Sequence, residues 1–183
     1  KNATIVLPDA DIAKAAAIIE RGAFGLTGQA CTGTSRALVA RPLYDALVER
    51  LAAAAGKFKV GPGAEEGVQM GPLATRGQYD KVLSYIGVGR QEGATLACGG
   101  NVPSLQGFSG GFFVEPTVFT DVTDTMRIAR EEIFGPVMSV LKFSDEDEVV
   151  ERANATEFGL AAGVFTRDLA RAHRVIGELQ AGT

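Results

Sequence analysis

A three-layer α/β fold, with a largely parallel sheet flanked by helices, is what this sequence predicts. Strand-like apolar runs alternate with amphipathic helical stretches from one end to the other, which is the order of successive βα units. At 183 residues the chain is one ordinary domain, long enough to bury a substantial core. Hydrophobic residues make up 46% and charged residues 22%, a globular and not a disordered composition.

The elements follow in order. Residues 4–7 are a short apolar run ended by Pro8, the first strand. Asp9 or Asp11 caps a helix whose Ile12, Ala15, Ala16 and Ile19 make one apolar stripe, and Gly22 and Gly25 close it. Residues 36–40 are a compact strand. Pro42 suits the first turn of a helix carrying Leu43, Leu47 and Leu51, which ends at Gly56. The glycine-rich stretch 57–71 reads as loop. A helix begins after Thr75 with Tyr79, Val82, Leu83 and Ile86, its end weakened by Gly87 and Gly89.

Residues 94–97 are a short strand, and 99–111 a loop with five glycines. Residues 112–119 read as a strand in which Pro116 marks an edge or a bulge. A helical turn over 126–132 leads into the Phe134-Gly-Pro136 corner, and 137–143 is a strand. Ser144 is expected to cap a helix running to about Ala155, with acidic residues in its first turn. A strand over 160–165 and a helix over 168–179 complete the chain. There is no internal repeat and no GxGxxG dinucleotide fingerprint.

The net charge of −4 and pI near 5.1, with basic residues scattered, argue against a nucleic-acid surface. The acidic run 145–148 is a solvated helix start. No apolar stretch approaches the roughly 18 residues of a membrane span. Two cysteines, Cys31 and Cys98, do not make a disulfide framework. Cys98, at the end of a short strand, reads as a small buried hydrophobe. No metal-binding set is expected.

Cys31 stands in Phe24-Gly-Leu-Thr-Gly-Gln-Ala-Cys31-Thr-Gly-Thr-Ser35-Arg36, directly after an apolar helix. Small neighbours let a substrate and backbone amides approach a sulfur closely, as a nucleophilic cysteine requires. Local chemistry leaves two readings open, a nucleophile and an inert cysteine beside glycines. His173 is the only histidine and would be the partner in a Cys–His hydrolase, but its helical setting between Arg171 and Arg174 favours a surface residue.

Gly28-Gln29-Ala30-Cys31, with Phe24 before it and Gly33 and Ser35 after, resembles the active-site cysteine signature of the aldehyde dehydrogenase superfamily. A second block, Glu131-Glu-Ile-Phe-Gly-Pro-Val137, resembles that family's cofactor-contacting motif. Weaker similarity through residues 1–9, Gly71-Pro72-Leu73 and 160–165 extends the resemblance over essentially the whole chain.

The resemblance implies the family's catalytic-domain fold over residues 1–183 and assigns roles residue by residue. Cys31 would be the nucleophile, attacking an aldehyde as a thiolate and passing through a thiohemiacetal and a thioester. Its backbone N–H would be one oxyanion donor. Glu132 would accept hydrogen bonds from the nicotinamide ribose, for which a carboxylate is suited. Phe134 would pack beside the nicotinamide ring. Gln78 and Lys81 fall where family members often touch the cofactor ribose, and Ala30 and Thr32 would line the substrate tunnel. Arg36 would anchor the loop. Read without the family, Glu132 is a helix-end carboxylate making a salt bridge and Phe134 plain core.

A Glu-Leu-Gly-Gly run carrying the hydrolytic base normally precedes the lysine matched by Lys1, and a strand follows the match to Ala181-Gly-Thr183. The chain therefore reads as a domain truncated at both ends, without its nucleotide-binding domain. The implied activity is oxidation of an aldehyde to an acid with NAD or NADP by a homo-oligomeric cytoplasmic parent, the piece alone being inactive. The wording Thr27-Gly-Gln-Ala-Cys-Thr32 looks most like members acting on small semialdehydes. The alternatives are a coenzyme A-acylating semialdehyde dehydrogenase of the same superfamily, and a catalytically silent structural fragment.

Overall fold

In the computed structural model the chain forms strands β1 (Ala3–Val6), β2 (Arg36–Ala40), β3 (Thr95–Cys98), β4 (Thr117–Thr120), β5 (Val137–Phe143) and β6 (Ala162–Phe165). The helices are α1 (Ile12–Phe24), α2 (Arg41–Ala55), α3 (Arg76–Gln91), the single turn α4 (Arg127–Arg130), α5 (Glu146–Asn154) and α6 (Leu169–Glu178). The structure describes residues 1–108 and 110–183; Ser109, inside the loop predicted over 99–111, lies outside the described residues.

The six strands make one sheet in the order β3-β4-β5-β2-β1-β6. Every pairing is parallel except β3 with β4 at one edge. Alternate residues of the central strands face opposite layers, as the strand period of two requires. Ala37 and Val39 of β2 and Met138 and Val140 of β5 pack with Ala15 and Ile19 of α1 and Leu47 and Leu51 of α2. Leu38, Leu141 and Phe143 face the other way, against Val82 and Ile86 of α3, Ile128, Val149 of α5 and Val175 of α6. Because both faces are covered, β2 and β5 are almost wholly buried, and they read in sequence as near-continuous apolar runs. This is the predicted three-layer arrangement.

Several local expectations shift. Asp11, and not Asp9, caps α1, its carboxylate accepting from the Ala13 and Lys14 N–H groups at 3.1 Å each. Gly22 does not close α1 but lies within it, where a Cβ would stand 2.5 Å from Thr34 Oγ1. Asp145 replaces Ser144 as the cap of α5, accepting from Glu148 N at 2.8 Å, while Glu148 reaches back to Ser144 N at 2.8 Å. The strand expected over 112–119 is laddered only from Thr117. Ahead of it Phe112 and Glu115 bond to loops instead, Leu73 N donating to Phe112 O and Glu115 N to Asn101 O. Pro116 has no N–H to offer a ladder.

The loop over 57–71 contains one bridge, Val60 with Met70. Among the described residues no helix is long and apolar enough to cross a membrane.

Candidate active site

Four chain segments meet at the amino-terminal ends of four neighbouring parallel strands. Lys1 and Asn2 lead into β1, residues 28–35 into β2, residues 132–135 into β5, and Phe158 and Leu160 into β6. They surround an open cleft of about 670 Å³, its solvent-filled mouth included. Ligands of open α/β sheets usually bind beyond the carboxyl ends of the strands, so this cleft occupies the opposite edge.

The cysteine loop is fixed from several sides. After α1 the backbone runs through Leu26, Thr27 and Gly28 at φ of 53°, 60° and 67°. Left-handed backbone is uncommon for leucine and an outlier for a β-branched threonine. Thr27 is held there by burial and by its hydroxyl, which donates to Gly71 O at 3.2 Å. Gly33 N then donates to Ala30 O at 3.0 Å, closing a turn whose two central residues are Cys31 and Thr32. Asn2 fastens this turn to β1, its Nδ2 donating to Cys31 O at 2.6 Å and Gly33 O at 2.9 Å. Cys31 itself is exposed, and its N–H donates to no protein group among the described residues.

Glu131 and Glu132 are adjacent in sequence and opposite in situation. Glu131 accepts from Arg127 and, at 2.6 Å, from the Tyr85 hydroxyl, and these bonds hold its carboxyl down at about 2. Glu132 is exposed at the cleft and joins no ion pair among the described residues, which removes its reading as a salt-bridged helix end. Phe134 lines the same cleft with φ of 57°, again left-handed, so it is not plain core.

The cleft thus brings together Cys31, Ala30, Glu132 and Phe134. Thr32 does not line it but faces a neighbouring hollow beside Ile18, Thr34 and β6. Gln78 and Lys81 also lie outside its wall. The Gln78 amide donates to Ile133 O at 2.8 Å and Phe134 O at 2.6 Å, and Lys81 Nζ rests 6.0 Å from the centre of the Tyr85 ring. His173 is exposed on α6 and has no place in the cleft, which leaves the Cys–His arrangement without a base. Cys98 is half-buried on β3, and burial pushes its thiol up. Among the described residues no three or more His, Cys, Asp or Glu side chains cluster as metal ligands.

Two cleft residues fall within the resemblance at residues 1–9 but are given no role by it. Asn2 is joined to the cysteine turn across 29 positions, and Lys1 Nζ donates to Glu131 O at 2.7 Å across 130. Burial, with Arg36 nearby, pushes the Lys1 ammonium down to about 7. Arg36 is buried behind the same segment and donates to the carbonyls of Lys1, Arg152 and Ala153 at 2.8 to 3.3 Å, anchoring β1 and α5 together.

The fold and the cleft are those of a three-layer α/β domain that presents an accessible cysteine at the amino-terminal ends of its central strands. The model of the aldehyde dehydrogenase family matches residues 1–183, and the chain belongs to that family. It is 64% identical over its whole length to a betaine aldehyde dehydrogenase of Mesorhizobium japonicum and 61% identical to one of Brucella anthropi. The chain spans 38% of the length of each of these relatives. Among solved structures, all of the chain superimposes on a betaine aldehyde dehydrogenase of Staphylococcus aureus in complex with NAD+, with a TM-score of 0.97 at 38% identity over 36% of that chain. An NAD+ complex of aldehyde dehydrogenase from Bacillus cereus gives 0.96 at 45% identity over 36% of its chain.

Proposed function

We propose that the enzyme to which this chain contributes oxidises an aldehyde to a carboxylic acid, with Cys31 as the covalent nucleophile and NAD or NADP as hydride acceptor. The observation that carries this is the convergence of an exposed Cys31 with Glu132 and Phe134 on one cleft. The Cys31 thiolate adds to the aldehyde carbon, forming a C–S bond and placing the carbonyl electron pair on oxygen. The Cys31 N–H is available to that oxyanion. The hydride that must leave this carbon for the Cys31 adduct to become a thioester would go to a nicotinamide, which is the chemistry that cofactor would supply when bound. Water then cleaves the C–S bond, giving the acid and restoring the thiol.

The residues present fit one end of such a cofactor. Glu132 offers two acceptor oxygens to vicinal ribose hydroxyls, and Phe134 offers a ring face for an aromatic heterocycle. The chain spans 38% of the length of its relatives, and we assign the remaining cofactor contacts and the hydrolytic base to the rest of the enzyme.

The relatives' shared name favours betaine aldehyde as substrate over the small semialdehyde that the Cys31 motif resembles. A quaternary ammonium is attracted to aromatic faces, and the exposed Phe158 at the cleft offers one. The test is NAD(P)H formation by the full-length enzyme with betaine aldehyde and with a small semialdehyde, beside Cys31→Ala. Activity with betaine aldehyde that falls by about 10⁴-fold in the variant supports the reading. Undiminished activity in Cys31→Ala contradicts it, and acyl-coenzyme A as the product would favour the acylating alternative.

A further inference from the structure

We propose that Gln78 is a positioning residue that aims Glu132 and Phe134 at the cofactor by clamping the backbone of their loop. This rests on the function proposed above. A primary amide has two N–H donors, and Gln78 directs them to two successive carbonyls, Ile133 O at 2.8 Å and Phe134 O at 2.6 Å. Lys1 Nζ holds the carbonyl on the other side of Glu132, that of Glu131, at 2.7 Å. The backbone on both sides of Glu132 is therefore tied to side chains from distant elements, while its own carboxylate is left exposed in the cleft.

The clamp acts where the backbone most needs it. Phe134 sits at φ of 57°, a conformation that a phenylalanine leaves unless something fixes its carbonyl. Gln78 is itself fixed, since its N–H is bonded to the Thr75 cap of α3 at 3.2 Å. Val82, one turn further along α3, bears on Gly135, where a Cβ would stand 2.3 Å from Val82 Cγ2. One face of α3 thus supports the loop from Ile133 to Gly135. Gln78 does not line the cleft, so its influence on a bound nicotinamide passes through Glu132 and Phe134.

Direct contact and clamping tolerate different side chains. The carbonyls of Ile133 and Phe134 can only accept, so a clamp needs donors, whereas a ribose hydroxyl both donates and accepts and would still bond a carboxylate. The experiment measures NAD+ affinity, KM and kcat of the full-length enzyme as Gln78→Glu, Gln78→Lys and Gln78→Leu. The melting temperature and the rate of Cys31 alkylation without cofactor are followed in parallel.

The clamp predicts that Gln78→Glu and Gln78→Leu weaken NAD+ binding about tenfold, the factor for loss of one or two hydrogen bonds. Gln78→Lys, which keeps a donor, stays within about threefold of the unsubstituted enzyme. Cys31 alkylation is expected to change less than twofold in all three, a pattern that general loosening of the fold would not give. Near-normal affinity in Gln78→Glu or Gln78→Leu overturns the clamp. Gln78→Glu is close in size to glutamine and still decides the question if Gln78→Leu does not fold. An unsubstituted enzyme that binds no NAD+ or NADP+ would instead remove the functional reading, and the clamp with it.

Discussion

Gly28 and Gly135 meet backbone to backbone, so closely that a Cβ on Gly28 would stand 2.2 Å from Gly135 O. This contact seats the cysteine loop against the loop carrying Glu132 and Phe134 at a single pair of glycines. Gly28 also holds φ of 67°, where any other L-residue is strained.

Gly28→Ala is accordingly expected to destabilise the chain by about 2 kcal/mol or more, combining backbone strain with overlap against a backbone that cannot yield. Gly25→Ala is its control, since a Cβ there meets nothing within 4 Å and φ is −54°. Denaturant unfolding of both variants checks the contrast. Equal stabilities would show that the two loops do not press on one another.

Asn2→Ala removes the two hydrogen bonds that hold the cysteine turn to β1. The expected loss is about 2 kcal/mol, from a net contribution of about 1 kcal/mol for each bond. Peptide-resolved alkylation should also show Cys31 losing part of its advantage over the half-buried Cys98. An unchanged ratio of the two rates would mean that the turn holds itself.

Arg36→Met tests the anchor behind the cleft. The Arg36 guanidinium is buried and serves three carbonyls, with no carboxylate bonded to it among the described residues, so removing it strands those acceptors. A loss of about 3 kcal/mol is expected in chemical denaturation, since hydrogen bonds to charged groups contribute about 1.5 to 3 kcal/mol each. A stability within 0.5 kcal/mol of the parent, roughly that of a neutral surface change, would contradict this.

Acid stability should depend on Asp9. Hydrogen bonds from Thr166 and the Arg167 N–H, with Arg171 nearby, hold its carboxyl at about 2. An unfolded aspartate titrates near 3.9, so the unfolded chain takes up the proton first on acidification. The stabilisation is complete above about pH 5 and is lost as the pH falls through 3.9 toward 2. Melting temperature against pH should fall less steeply there in Asp9→Asn. Superimposable slopes would contradict the assignment.

The chain taken alone should form no detectable NADH or NADPH with an aldehyde, whereas the full-length enzyme should. The cofactor contacts proposed for this chain are those of Glu132 and Phe134, at the ribose and nicotinamide end alone. Measurable turnover by the isolated chain would show that the remaining parts are dispensable.

How much of this was legible in the sequence follows from the range over which each interaction acts. The alternation of strands and helices and the apolar faces of β2 and β5 are local patterns, and they gave the three layers. Where a neighbour decides, the reading slipped. Gly22 reads as a helix stop but is small because Thr34 lies against it. Residues 112–116 look like strand but bond to Leu73 and Asn101.

The site divides in the same way. Cys31, Glu132 and Phe134 stand in recognisable motifs, and the cleft holds all three. Gln78 falls where family members often touch the cofactor ribose, and what the sequence does not show is that its amide donates to carbonyls 55 and 56 positions away. Asn2 and Lys1 act through backbone carbonyls, which leave no trace in the identity of the residues they hold.

The role proposed for Cys31 is to carry the acyl group during aldehyde oxidation. It is tested most directly by mixing the full-length enzyme with aldehyde and NAD+, quenching in acid during turnover and locating the acyl mass by peptide mapping. An acyl adduct is expected on the Cys31 peptide, formed only when both aldehyde and cofactor are present and absent from Cys31→Ala. Steady turnover with no acylated Cys31, or an adduct on another residue, would contradict it.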